Sequence, residues 1–148
     1  MIRVIRGLHW VERCEAPWQS PKNRRGAKAK GLAYERRVGR ALAKTFPKLE
    51  HNPWFAFEDS QGRGHCSPDF LLELDGRPLV LEVKLGDVSA GLAKLRYLYG
   101  PILRMWLGRE IEGVVVVKFG LGEQTLRQAL GKELGVVQWG GVGPFPVG

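Results

Sequence analysis

Asp69, Glu82 and Lys84 are the residues of this sequence whose types and spacing best suit chemistry. They lie on two apolar runs, residues 69–74 and 78–84, separated by Asp75-Gly76. An Asp-Gly pair between such runs is the strongest short-range signal for a two-residue hairpin. In that hairpin Leu74 faces Arg77, and the numbers of every facing pair total 151, as those of Asp69 and Glu82 do. The two carboxylates are therefore expected directly across from each other, with Cβ atoms about 4.5–5.5 Å apart. Lys84 is two residues beyond Glu82, so it stands on the same face.

Like charges facing each other across strands are destabilising, so a ligand that compensates them is expected. Two hard carboxylates and a nearby backbone carbonyl make an oxygen site suited to Mg²⁺, with Mn²⁺ as a substitute. Lys84 beside such an ion is placed to orient an attacking water and to stabilise charge on a phosphate. A solvent-exposed hairpin face carrying idle charges is the plain alternative. Against it, one face also carries Leu71 and Val80, and the other Phe70, Leu72, Leu79, Leu81 and Val83. That pattern predicts strands covered on both sides, where charges are more often functional than decorative.

The elements around the hairpin follow from periodicity. Residues 29–46 repeat Leu32, Val38, Leu42 and Phe46 at helix spacing, and Pro47 is expected to end that helix. Glu35 falls on its apolar face, where a lone charge needs a partner or a metal. Residues 54–57 read as a strand and 58–67 as a loop. Residues 89–108 read as a helix capped by Ser89 and kinked or split by Pro101, and Val114–Val117 as a strand covered on both faces. A shorter helix over 124–134 and a strand over 136–139 complete the order. The expected fold class is α/β, a central mixed β-sheet flanked by helices. Residues 1–28 read as a basic, partly flexible N-terminal extension in which Ile2, Val4, Leu8, Trp10 and Val11 form a short strand or docking arm. The segment 22–30 is expected to be mobile in the unbound chain, and 29–148 form the main domain.

Pro68-Asp69, twelve intervening residues and then Glu82-Val83-Lys84 resemble the signature of the PD-(D/E)XK nucleases. Lys30-Gly31-Leu32-Ala33-Tyr34-Glu35-Arg36 is similar to the helix that opens the archaeal-type Holliday junction resolvases, a branch also met in phages. Val117-Lys118-Phe119 resembles that branch too. The resemblance covers about residues 28 to 120. It implies a restriction-endonuclease-like core and a catalytic set of Glu35, Asp69, Glu82 and Lys84. Asp69, Glu82 and the Val83 carbonyl would hold Mg²⁺, and Glu35 would complete the site through a second ion roughly 3.5–4 Å from the first. The implied reaction is hydrolysis of a DNA phosphodiester to 5′-phosphate and 3′-hydroxyl ends in DNA recombination, by a homodimer acting on a four-way junction. The family also has a small hydroxyl before the aspartate, for which Ser60 and Ser67 are both candidates.

The charge distribution agrees with a polyanionic partner. The net charge is +8, yet residues 1–50 hold 13 Lys or Arg against 4 acids, while residues 51–148 hold 10 against 11. All the excess lies in the first third, an electrostatic footprint for nucleic acid. Arg24, Arg25, Lys28, Lys30, Arg36, Arg37 and Arg40 are the expected phosphate contacts. A membrane partner is disfavoured, because no apolar run approaches roughly 20 residues and the basic block has no apolar helix face. The opening residues lack the apolar stretch of a signal peptide, so an intracellular, cytoplasmic location is expected, in a host cell if the source is a phage. Cys14 and Cys66 suggest neither a disulfide framework nor a zinc site. Trp54, Phe55 and Phe57 suit core packing better than base stacking. The expected function is a structure-selective endonuclease, with another nuclease on the same core or a non-catalytic DNA-binding protein as alternatives.

Overall fold

The computed structural model describes residues 2–17 and 27–148. In chain order these form β1 (Trp10–Cys14), α1 (Ala27–Ala43), β2 (Glu50–His51), β3 (Trp54–Asp59), β4 (Gly62–Cys66), β5 (Phe70–Leu74) and β6 (Arg77–Lys84). They continue as α2 (Val88–Lys94), a π-helical turn (Leu95–Tyr99), α3 (Gly100–Leu107), β7 (Glu112–Val117), α4 (Leu126–Ala129) and β8 (Leu134–Gln138).

The hairpin has the expected register. Asp75 (φ 51°) and Gly76 (φ 74°) both take positive φ, the turn that matches the twist of the flanking strands. Leu74 pairs with Arg77 and Phe70 with Leu81. The five-stranded sheet runs β2-β5-β6-β7-β8, with β2, β5 and β6 antiparallel in turn and β6, β7 and β8 parallel. The fold is thus α/β, a mixed sheet between helices.

Alternation along the strands separates two cores. Phe70, Leu72, Leu74, Leu79, Leu81 and Val83 join Val38 and Leu42 of α1. Leu71 and Val80 join Leu95, Tyr99, Ile102 and Leu103 on the other face. β7 is buried throughout; Val114 and Val116 enter the first core, Val115 and Val117 the second. Both faces of the sheet are therefore dry, and burying this apolar area is the main source of stability.

A second sheet, β1-β3-β4, packs Phe55 and Phe57 into the second core. Of the segment expected to form a short strand or docking arm, Trp10 and Val11 lie in a strand, and the residues before it are held by contacts to the second sheet and the π-helical turn. β1 pairs antiparallel with β3, Ile5 N–H donates to the Tyr97 carbonyl (2.9 Å), and the Arg3 guanidinium meets the buried Asp59 carboxylate at 2.6 Å.

Several boundaries differ from expectation. The supposed loop 58–67 contains β4, whose Gly62-Arg63-Gly64-His65-Cys66 has weak strand propensity and is held by pairing with β3. Helix α1 already begins at Ala27, so Lys28 and Lys30 lie in its first turn, while residues 22–26 of the segment expected to be mobile lie outside the described residues; the helix ends at Ala43, before Pro47. Asp87, not Ser89, caps α2 by accepting from Ala90 N–H (3.0 Å). Pro101 falls in the first turn of α3, where its missing N–H is harmless, and the π-helical turn ahead of it absorbs the misfit. A Cβ on Gly100 would sit 2.6 Å from the Leu95 carbonyl oxygen, so that turn needs glycine. The helix expected over 124–134 is only α4. Thr125 and Gln128 form its capping box, extended Leu130 and Gly131 (φ 90°) end it, and β8 starts at Leu134. No helix among the described residues is long and apolar enough to cross a membrane.

Candidate active site

The end of the sheet where β5 begins and β6 ends opens into a cleft of about 1000 Å³. Asp69, Glu82, Val83 and Lys84 line it from the sheet, Lys28, Gly31 and Glu35 from α1, and Lys94 and Tyr99 from the helices on the opposite face.

Asp69 immediately precedes β5, one step beyond the Phe70–Leu81 pair, so its register places it opposite Glu82. Val83 N–H donates to Asp69 Oδ2 (2.7 Å), which fixes the carboxylate against the neighbouring strand. Burial, then the charges of Glu82 and Glu35, raise the Asp69 carboxyl far above the usual carboxylate range. Glu82 and Glu35 line the same cleft, near enough for their charges to act on the Asp69 proton. Burial also pushes Glu35 upward, but hydrogen bonds with His51, Asp69 and Asn52 outweigh it and hold Glu35 below its ordinary value.

Glu82 is 2% exposed. Its Oε2 lies 3.8 Å from Lys84 Nζ and 3.5 Å from Lys94 Nζ. Its Oε1 is buried without a hydrogen-bond partner among the described residues, as is Ser67 Oγ. An orphaned, buried carboxylate oxygen is costly unless something binds it. Tyr99 O–H donates to the Ser67 carbonyl (3.2 Å), and burial, reinforced by the nearby acids, raises the tyrosine's pKa.

Among the described residues no three His, Cys, Asp or Glu side chains are spaced as a preformed metal cage. Glu35, Asp69 and Glu82 instead line one cleft from α1, the start of β5 and β6. The donors nevertheless fit a hard divalent cation. They are carboxylate oxygens, one lacks a partner, and the central one is destabilised by its neighbours.

The structure thus brings together Glu35, Asp69, Glu82 and Lys84, and of the two candidate serines it is Ser67 that lines the cleft; Ser60 is exposed beside the N-terminal arm, its N–H bonded to the Arg6 carbonyl (2.8 Å). Of the expected phosphate contacts, Lys28 borders the cleft and Lys30, Arg36, Arg37 and Arg40 are exposed on α1. Arg24 and Arg25 lie outside the described residues. Lys118, from the third matching segment, follows β7, and its N–H donates to the Lys84 carbonyl (3.2 Å). Phe55 and Phe57 are core residues, whereas Trp54 is half-buried at the cleft.

Sequence reasoning missed Lys94 and the contact between His51 and Glu35. Lys94 had no signal beyond being a basic residue on an otherwise apolar helix. His51 Nε2 is 2.7 Å from Glu35 Oε2, a contact set by β2 pairing with β5. Burial pushes the free Cys66 thiol up to about 12, which leaves it an inert packing group.

What fold and site define together is an α/β protein with three carboxyl groups and two ammonium groups in one cleft. No protein-family model matches the chain, and neither does any curated protein. Among solved structures, it is similar to the crystal structure of protein VC1899 from Vibrio cholerae, at 14% identity and a TM-score of 0.43. That match covers 71% of this chain and 28% of the other, so this chain spans less than a third of that protein's length. A likeness this weak has no bearing on function.

Proposed function

We propose that the protein is a divalent-cation-dependent nuclease of the PD-(D/E)XK type that hydrolyses DNA phosphodiesters, acting most like a Holliday junction resolvase. The observation that supports this best is the buried Glu82 opposite Asp69, with one oxygen unpartnered and the other beside Lys84 and Lys94.

Asp69, Glu82 and the Val83 carbonyl would hold Mg²⁺, and Glu35 would complete the set. The bound cation would supply Lewis acidity and a more acidic water. Val83 N–H keeps the Asp69 carboxylate turned against β6. Glu82 draws both ammonium groups to the same point, where they can contact the phosphate under attack. In the reaction a water oxygen bonds to phosphorus, the P–O3′ bond breaks, and the departing oxygen takes a proton to leave a 3′-hydroxyl and a 5′-phosphate. Lys28, Lys30, Arg36, Arg37 and Arg40 would hold the flanking backbone through counterion-releasing contacts. A homodimer would present two clefts to one junction. Half-exposed Tyr97, Met105 and Trp106, grouped about α3, offer an apolar surface for it.

A substrate panel tests the reading: a labelled four-way junction, linear duplex, flapped duplex and single strands, each with Mg²⁺. Paired symmetric nicks in the junction support a resolvase. Cutting confined to the other substrates keeps the nuclease and rejects the resolvase. Binding without cutting favours a non-catalytic DNA-binding protein.

A further inference from the structure

We propose that His51 is a positioning residue which, with Asn52, holds Glu35 in the cleft and thereby sets the cation affinity of the site. The geometry stands by itself; its consequence for cation binding rests on the nuclease reading.

β2 is only two residues long, yet it is placed by three contacts. His51 pairs with Phe70 in the ladder, and its ring stacks on the Phe70 ring at 4.6 Å between centroids and 15° between planes. Asn52 turns the chain away in the left-handed region (φ 52°), a conformation that asparagine tolerates better than most residues. Its N–H donates to the Asp69 carbonyl at 2.9 Å. Nε2 of the imidazole lies 2.7 Å from Glu35 Oε2, and facing a carboxylate oxygen it carries the proton. Asn52 lines the cleft beside Glu35.

Two consecutive residues therefore grip both the backbone of the strand aspartate and the side chain of the helix glutamate. Glu35 has three side-chain torsions and comes from α1, an element separate from the hairpin, so the hairpin alone does not fix where its carboxylate lies. His51 ties one Glu35 oxygen to the sheet through a ring that is itself anchored on the residue following Asp69. Supporting hydrogen bonds of this kind orient ligands, and their loss typically lowers metal affinity roughly 10–100-fold.

Two variants separate the hydrogen bond from the packing. His51→Phe keeps a ring for Phe70 but has no donor; His51→Gln has a donor at the reach of Nε2 but no ring. The first readout needs no cation. With ¹³Cδ-labelled glutamate in EDTA, the Glu35 signal is assigned by its absence in Glu35→Gln. It should move in His51→Phe and stay near its wild-type position in His51→Gln. The second readout is Mn²⁺ affinity by calorimetry without DNA. It should fall about ten-fold or more in His51→Phe and stay within about three-fold in His51→Gln. An unmoved Glu35 signal in His51→Phe overturns the proposal, as does an equal loss of Mn²⁺ affinity in both folded variants, which would assign the effect to ring packing. If the wild-type protein binds no Mn²⁺, the nuclease reading fails, and the glutamate signal still decides whether His51 holds Glu35.

Discussion

Replacing Asp69 with Asn should abolish activity and make the cation-free protein more stable. The amide keeps the shape of the side chain and its oxygen can still accept from Val83 N–H, but it needs no proton to sit opposite Glu82. In the folded chain burial, then Glu82 and Glu35, push the Asp69 carboxyl up from 3.8 to about 10. A folded-state value above the unfolded one means that at neutral pH folding must take up a proton that the unfolded chain does not hold. That penalty is absent below the unfolded value of about 4 and grows by about 1.4 kcal/mol per pH unit above it. At pH 7 the ceiling is about 4 kcal/mol. Relaxation and water entry reduce such penalties, so a gain of about 2 kcal/mol is expected for Asp69→Asn, or a Tm higher by about 6 °C. Thermal melts in EDTA at pH 7, 6 and 5 should show the gap between variant and wild type narrowing as pH falls. Mn²⁺ should close it at pH 7 by stabilising the wild type, by about 2.7 kcal/mol at a hundred-fold excess over Kd. A variant less stable than wild type at pH 7, or a gap independent of pH, would refute the claim that the three carboxyl groups strain one another.

Lys84→Ala should lower kcat about 100-fold or more in single-turnover cleavage, whereas Lys94→Ala, which removes the ammonium 3.5 Å from Glu82 Oε2, should act mainly on KM, by about ten-fold. Changing both Lys28 and Lys30 to Ala should reduce the slope of log Kd against log salt by about two in DNA-binding titrations. Arg3→Ala should lower the urea midpoint at pH 7 by releasing the N-terminal arm from Asp59. Arg3 holds the Asp59 carboxyl below its ordinary value, so this support is complete above the unfolded value of about 4 and is lost as pH falls through the lowered one. The midpoints of Arg3→Ala and wild type should therefore converge in acid.

The parts of the site legible in the sequence were those governed by local rules. An Asp-Gly turn has one preferred geometry, so the pairing of residues 70–74 with 77–81 and the position of Asp69 against Glu82 followed from counting. Period-two alternation separated the two faces of the hairpin, and the structure sends them into different cores. Glu35 stood out because a carboxylate on an apolar helix stripe is unusual. What stayed hidden depends on contacts distant in the chain. β2 is too short to register as a strand, and the contact it gives His51 spans 16 residues. The glycine-rich β4 is specified by its partner strand and not by its own composition. Lys94 points toward Glu82 only because α2 crosses back over the sheet between β6 and β7. The short α4 shows the reverse error, an apolar spacing that suits a helix cut off by extended Leu130 and Gly131.

We propose that Asp69, Glu82 and Lys84 form a nuclease centre. The most direct test is cleavage of end-labelled branched and linear DNA by wild type, Asp69→Ala and Lys84→Ala, each with Mg²⁺ and with EDTA, after confirming that all three are folded and bind DNA. The wild type should give 5′-phosphate products with Mg²⁺ and none with EDTA, and neither variant should give any. Cleavage that persists in Asp69→Ala, or a folded, DNA-binding wild type that cuts nothing with Mg²⁺ or Mn²⁺, would contradict it.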